Sequence, residues 1–107
     1  MERHGQIIGV RPEKLAEYKR YHARVWPEVA RKITECYIRN YSIYQRDGLL
    51  FAYFEYVGKD MATDMAKMAA DPKTQEWWAI MKPLQRPLPA RGEGEWWAEM
   101  EEVFHQD

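Results

Sequence analysis

The chain has 107 residues, enough for one domain with a single core, and residues 1–107 are read as one unit. Sixteen basic against seventeen acidic residues leave a net charge of −1, with no block of one sign, which argues against a nucleic-acid footprint or an anionic membrane partner. A single cysteine, Cys36, excludes an internal disulfide and any CxxC metal or redox motif, and is read as a small buried apolar residue.

The opening MERHGQIIGVRPEK has no long apolar run and no cleavage site, so neither a signal peptide nor a membrane span is expected, and the cytoplasm is the expected compartment. Residues 4–10 form a β-rich run that stops at Arg11-Pro12, a good helix start. From Pro12 to about Ala23, Leu15, Tyr18, His22 and Val25 recur at three- and four-residue spacing, which predicts an amphipathic helix with Tyr18 and His22 on one face. Pro27 breaks it, and a second helix is predicted from Glu28 to about Glu35.

Two β-branched and aromatic runs, YIRNYSIYQR and LLFAYFEYV, flank Asp47-Gly48 and predict a hairpin. Residues 59–70 read as a helix with Met61, Met65 and Met68 on a core face. Asp71-Pro72 ends it, and Thr74 is read as the N-cap of a helix carrying Trp77-Trp78. Residues 83–94, PLQRPLPARGEG, are predicted to be a long loop, and a last strand is placed around Glu99–Phe104.

The resulting order, β-α-β-β-α-β, is the split βαβ, or ferredoxin-like, arrangement of the α+β class. Its antiparallel sheet has helices on one face only, and the other face calls for cover. Aromatic residues make up 14% of the chain, more than a small core needs, which suits an interface or a ligand pocket. A second copy of the chain is the expected cover, giving a homodimer.

Several segments resemble the L-rhamnose mutarotase family. They are Tyr18-Lys-Arg-Tyr-His22-Ala-Arg-Val-Trp26-Pro27-Glu28, Asn40-Tyr41-Ser42-Ile43-Tyr44, Leu49-Leu50-Phe51-Ala52-Tyr53, the pair Trp77-Trp78, and the ending Glu102-Val103-Phe104-His105. The likeness runs from about residue 4 to residue 106. It implies a dimeric α/β barrel and an isomerase that interconverts α- and β-pyranose anomers of a monosaccharide, with no metal and no organic cofactor. It also implies His22 as proton donor, and Tyr18, Tyr41, Trp77 and Trp78 as sugar-binding residues. Many family members carry an Asn/Asp-rich segment where this chain has PLQRPLPARGEGEWW. A loop with other polar groups changes which hydroxyls are read, so the named sugar is open between L-rhamnose and related deoxy-sugars.

The residue types fit the chemistry. Mutarotation takes a proton from the anomeric hydroxyl and gives one to the ring oxygen, and an imidazole with an unperturbed pKa of roughly 6.5 can do both near neutral pH. Adjacent tryptophans on a helix diverge by about 100°, so one is expected to face the sugar while its neighbour packs or offers its N–H. A lone helical histidine is by itself more often packed than catalytic, and Trp96-Trp97 read more simply as packing or dimer contact. Other functions the residues allow are a cofactor-free or haem-handling dimeric α/β-barrel monooxygenase and a non-enzymatic small-molecule-binding module.

Overall fold

The first apolar run becomes β1 (Glu2–Val10), and Pro12 opens a short 3-10 turn (Pro12–Lys14) that leads into α1 (Leu15–His22). Pro27 sits in the first turn of α2 (Pro27–Glu35), so it starts the second helix as it ends the first. In this computed structural model, which describes all 107 residues, the hairpin of β2 (Ile38–Arg46) and β3 (Leu49–Tyr56) follows. Asp47 and Gly48 both have positive φ, 54° and 78°, the backbone of a two-residue turn whose twist matches the strands.

α3 (Met61–Ala70) and α4 (Pro72–Met81) are separated only by Asp71. Asp71, and not Thr74, caps α4: one carboxylate oxygen accepts from the Thr74 amide at 3.0 Å and from the Thr74 hydroxyl at 2.9 Å. Pro72 fixes the helical backbone three residues earlier than the Thr74 reading assumed, which moves the cap to the residue before it. No helix is long and apolar enough to cross a membrane.

The segment expected to be all loop contains regular structure. A 3-10 turn (Lys82–Leu84) runs into β4 (Gln85–Arg86), and β5 (Ala98–Met100) follows after a true loop. Prolines 83 and 87 bracket β4, but its two residues keep their amides and pair with β1 at Val10↔Gln85 and Gly9↔Arg86. β5 pairs farther along β1, from Ile7↔Ala98 to Gly5↔Met100. It is shorter than the predicted strand because backbone pairing stops at Met100; beyond it the chain is tied to β1 by the Arg3–Glu102 ion pair at 3.0 Å.

The sheet order is β2-β3-β1-β4, with β5 also on β1 and every pairing antiparallel. This is the strand order of the β-α-β-β-α-β arrangement, with its last strand delivered in two pieces along one edge of β1. On β3 the alternate residues Leu50, Ala52, Phe54 and Tyr56 are buried beneath the helices. Cys36 is buried and unpaired, as expected.

The core falls into two clusters. One joins Ile8, Val10 and Leu50 of the sheet to Tyr18, Val29, Trp77 and Met81 of the helices, with Leu84 beside them. The other joins Ile38, Phe54 and Tyr56 to the methionines of α3. Tyr56 donates its hydroxyl hydrogen to Asp64 and accepts the Asp60 amide at 2.9 Å, which fixes α3 to the end of β3.

Candidate active site

Between these two clusters, under the helices and over the sheet, lies a cavity of about 770 Å³. Met61, Met65 and Met68 line it and are half-buried, where a closed core was expected of them. All five residues singled out for the site, Tyr18, His22, Tyr41, Trp77 and Trp78, reach this one cavity.

The helical spacing of four does what it predicts for Tyr18 and His22. Their rings stack with centroids 4.1 Å apart and planes 22° from parallel. The Trp77 ring meets the His22 edge at 5.4 Å and is itself wedged by Trp26 at 5.2 Å. Trp77 is buried and Trp78 half-buried, and both line the cavity.

Tyr41 is aimed by a bulge. The β2–β3 register shifts between Arg39 and Ser42, and Asn40 takes a positive φ of 51° with its side chain held by Glu55 at 2.8 Å. The extra residue turns Tyr41 onto the same face as Ile38 and Ile43, over the cavity. There its ring meets Phe54 edge-on at 5.8 Å.

His22 Nδ1 lies 2.9 Å from the Tyr18 carbonyl oxygen, which can only accept, so Nδ1 carries the hydrogen. The lone pair is therefore on Nε2, which has no protein partner. Burial pushes the imidazole below its ordinary 6.5, and the bond to the Tyr18 carbonyl offsets only part of that. At neutral pH His22 is a neutral base with a free Nε2. Burial also raises the Tyr41 phenol to about 12. The Tyr18 phenol is raised further by burial, with a hydrogen bond from Gln85 opposing the shift. Both phenols stay protonated as donors.

Three residues on the wall were not expected there. Gln85 is only 5% exposed. Trp96 and Trp97, read as packing, line the cavity with it. Trp96 Nε1 donates to Gln85 Oε1 at 2.7 Å. Their sequence signal was slight: a glutamine between prolines and a tryptophan pair beyond a glycine-rich stretch. His4 stays outside the cavity, stacked on Phe54 at 4.9 Å and bonded to Glu99 and Glu2.

Comparison with known proteins follows the same lines. The chain is 32% identical over its whole length to an L-rhamnose mutarotase of Oceanobacillus iheyensis, itself fully covered. It is 36% identical to one of Ligilactobacillus salivarius, with 96% of this chain and 95% of that protein covered. An L-fucose mutarotase of Xanthomonas campestris is 35% identical, with 84% and 74% covered. The crystal structure of an L-rhamnose mutarotase from Formosa agariphila superposes with a TM-score of 0.77 at 21% identity, covering 100% of both chains, and so shares the fold. The profile of the L-rhamnose mutarotase family matches residues 3–106, and the chain belongs to that family.

Proposed function

We propose that this isomerase interconverts the α- and β-pyranose forms of L-rhamnose, or of a closely related 6-deoxy sugar, in the cavity above its sheet. The observation that carries this reading is the free Nε2 of a neutral His22 facing a cavity walled by phenols and indoles. The relatives named for L-rhamnose and for L-fucose support the 6-deoxy sugar class.

In the opening step Nε2 takes the proton of the anomeric hydroxyl and the C1–O1 bond becomes a carbonyl. The C1–O5 bond breaks, its electron pair goes to O5, and the imidazolium returns the proton to O5. O1 and O5 are bonded to the same carbon, so one nitrogen can serve both. Rotation about C1–C2 and the reverse sequence close the ring on the other face. Every proton taken is returned and no electron is lost, so the proposal calls for no cofactor.

Tyr18 and Tyr41 donate hydrogen bonds to sugar oxygens, and an indole of Trp77 or Trp78 covers the apolar face and the methyl group. General acid–base catalysis of this kind is worth roughly 10²–10⁴-fold. His22→Ala is expected to lower the anomer-exchange rate, read by NMR exchange spectroscopy on L-rhamnose, by about that factor while the protein stays folded. Exchange at the unmutated rate in that variant sinks the assignment.

The homodimer, with its barrel of two facing sheets, and the cytoplasmic setting belong to the same proposal. The helix-free face of the sheet carries Tyr44 and Phe51, paired across β2 and β3, and Met100 on β5, all at least 37% exposed. Val103 and Phe104 also stand exposed just beyond β5. A second copy of this face is the cover that buries them.

A further inference from the structure

We propose that Gln6 is a specificity-determining residue of the sugar site, presenting its side-chain carbonyl oxygen to one ring hydroxyl from the sheet side of the cavity. The assignment rests on the mutarotase reading above and adds a residue of β1 to it. Gln6 shares a face of β1 with Ile8 and Val10, both buried in the core, and it lines the cavity. Its register partner on β5 is Glu99, and residues directly opposite in an antiparallel pair project from the same face.

That pairing decides which end of the amide is left for the cavity. Gln6 Nε2 lies 2.7 Å from Glu99 Oε2, and a carboxylate oxygen only accepts, so the NH₂ group is the end turned to Glu99. An amide that could otherwise sit either way round is thereby oriented. No protein group donates to the remaining atom, Oε1. Since no buried side-chain polar atom lacks a partner, Oε1 reaches open space, and the space Gln6 borders is the cavity. Glu99 is held in turn. Its Oε1 lies 2.8 Å from His4 Nδ1, while His4 Nε2 lies 3.0 Å from Glu2 and the imidazole stacks on Phe54. The amide is therefore oriented before any sugar arrives.

An open acceptor is scarce in this cavity. Gln85 Oε1 is taken by Trp96, the Thr74 hydroxyl is spent on Asp71, and Lys82 only donates. Apart from the phenol oxygens, His22 Nε2 and Gln6 Oε1 are what is left to accept. His22 stands on α1 above the sheet and Gln6 on β1 within it, so they approach a bound ring from different sides. With Nε2 committed to the anomeric proton, Gln6 takes the hydrogen of a hydroxyl elsewhere on the ring. One acceptor of fixed direction reads whether that hydroxyl is present and which way it points, which is how stereoisomeric 6-deoxy sugars differ.

The test uses whichever of L-rhamnose and L-fucose the wild type exchanges faster, with its analogues lacking the hydroxyl at C2, C3 or C4. Anomer exchange is read by NMR as kcat/KM, and each analogue is expressed as a ratio to the parent sugar within one preparation, so a smaller folded fraction cancels. Gln6→Met keeps the side-chain length and removes the acceptor. The preference for the parent sugar over one analogue is expected to fall about tenfold, the value of one hydrogen bond, while the preferences over the other two stay as in the wild type. Glu99→Lys tests the orientation from outside the cavity. An ammonium only donates, so it draws Oε1 to itself and turns the NH₂ group toward the sugar; the preference over the same analogue is expected to fall.

Unchanged ratios in Gln6→Met, or an equal change for all three analogues, overturn the assignment of Gln6. If Gln6→Met does not fold, Glu99→Lys decides: a wild-type set of ratios in that variant overturns the assignment, and loss of one preference supports it. Absence of catalysed exchange by the wild type on either parent sugar is a different result, which overturns the mutarotase reading and the role of Gln6 with it.

Discussion

His22 and His4 start from the same unperturbed value and are pushed in opposite directions. Burial lowers His22, with one carbonyl opposing it. At His4 burial also lowers, but the carboxylates of Glu99, at 2.8 Å, and Glu2, at 3.0 Å, outweigh it and the net shift is upward. Proton NMR is expected to find His22 titrating below 6.5 and His4 above it. The catalytic consequence is an acid limb: the rate falls as pH drops through the lowered His22 value and is flat above it, because the base must be neutral. The stability consequences differ in sign. The folded state disfavours charged His22, so that cost appears as pH falls below 6.5. His4 stabilises fully below 6.5, and that contribution is lost as pH rises through its raised value.

At the scale of the elements, α4 is the helix that brings both tryptophans to the cavity, and its first turn depends on Asp71 and Thr74. The Thr74 hydroxyl and amide hold the Asp71 carboxyl below the usual carboxylate range. Thr74 is only 2% exposed, so its hydroxyl has no water to fall back on. Thr74→Val keeps the shape and removes that bond; the expected loss is about 1 kcal/mol, read as a lower urea midpoint at unchanged slope. The Tyr18–His22 face was legible in the sequence because it depends on spacing within one helix. The Asp71 cap was misread by three residues because two good capping residues flank Pro72. Tyr41 carried a resemblance but no periodic signal, since a bulge and not simple alternation turns it inward. Gln85 was not legible: its partner Trp96 lies 11 positions away across a loop, and no local pattern joins them.

The whole molecule separates two tasks that a small chain could have been forced to combine. The cavity that His22 lines lies on the helix side of the sheet, and the uncovered apolar face lies on the other. The cavity exists because the helices stand off the sheet between two core clusters, which a count of apolar residues cannot show. Phe51→Glu places a charge on the outer face, where the native side chain is 37% exposed in the single chain. The wild type is expected to sediment as a dimer and the variant as a monomer. The cavity lies across the sheet from Phe51, so the variant is expected to keep the low His22 titration, checked in the same NMR experiment.

The divided last strand has a further consequence. Residues 87–97 leave the sheet at β4 and return to it at β5, and both points of attachment are on β1. A segment anchored at both ends to one central strand can change its length and chemistry without moving the hairpin or the helices that carry His22. It behaves as an exchangeable cassette: descent with modification can rewrite which hydroxyls are recognised while the proton-transfer apparatus is inherited intact. Relatives that differ in their sugar are then expected to differ most between β4 and β5.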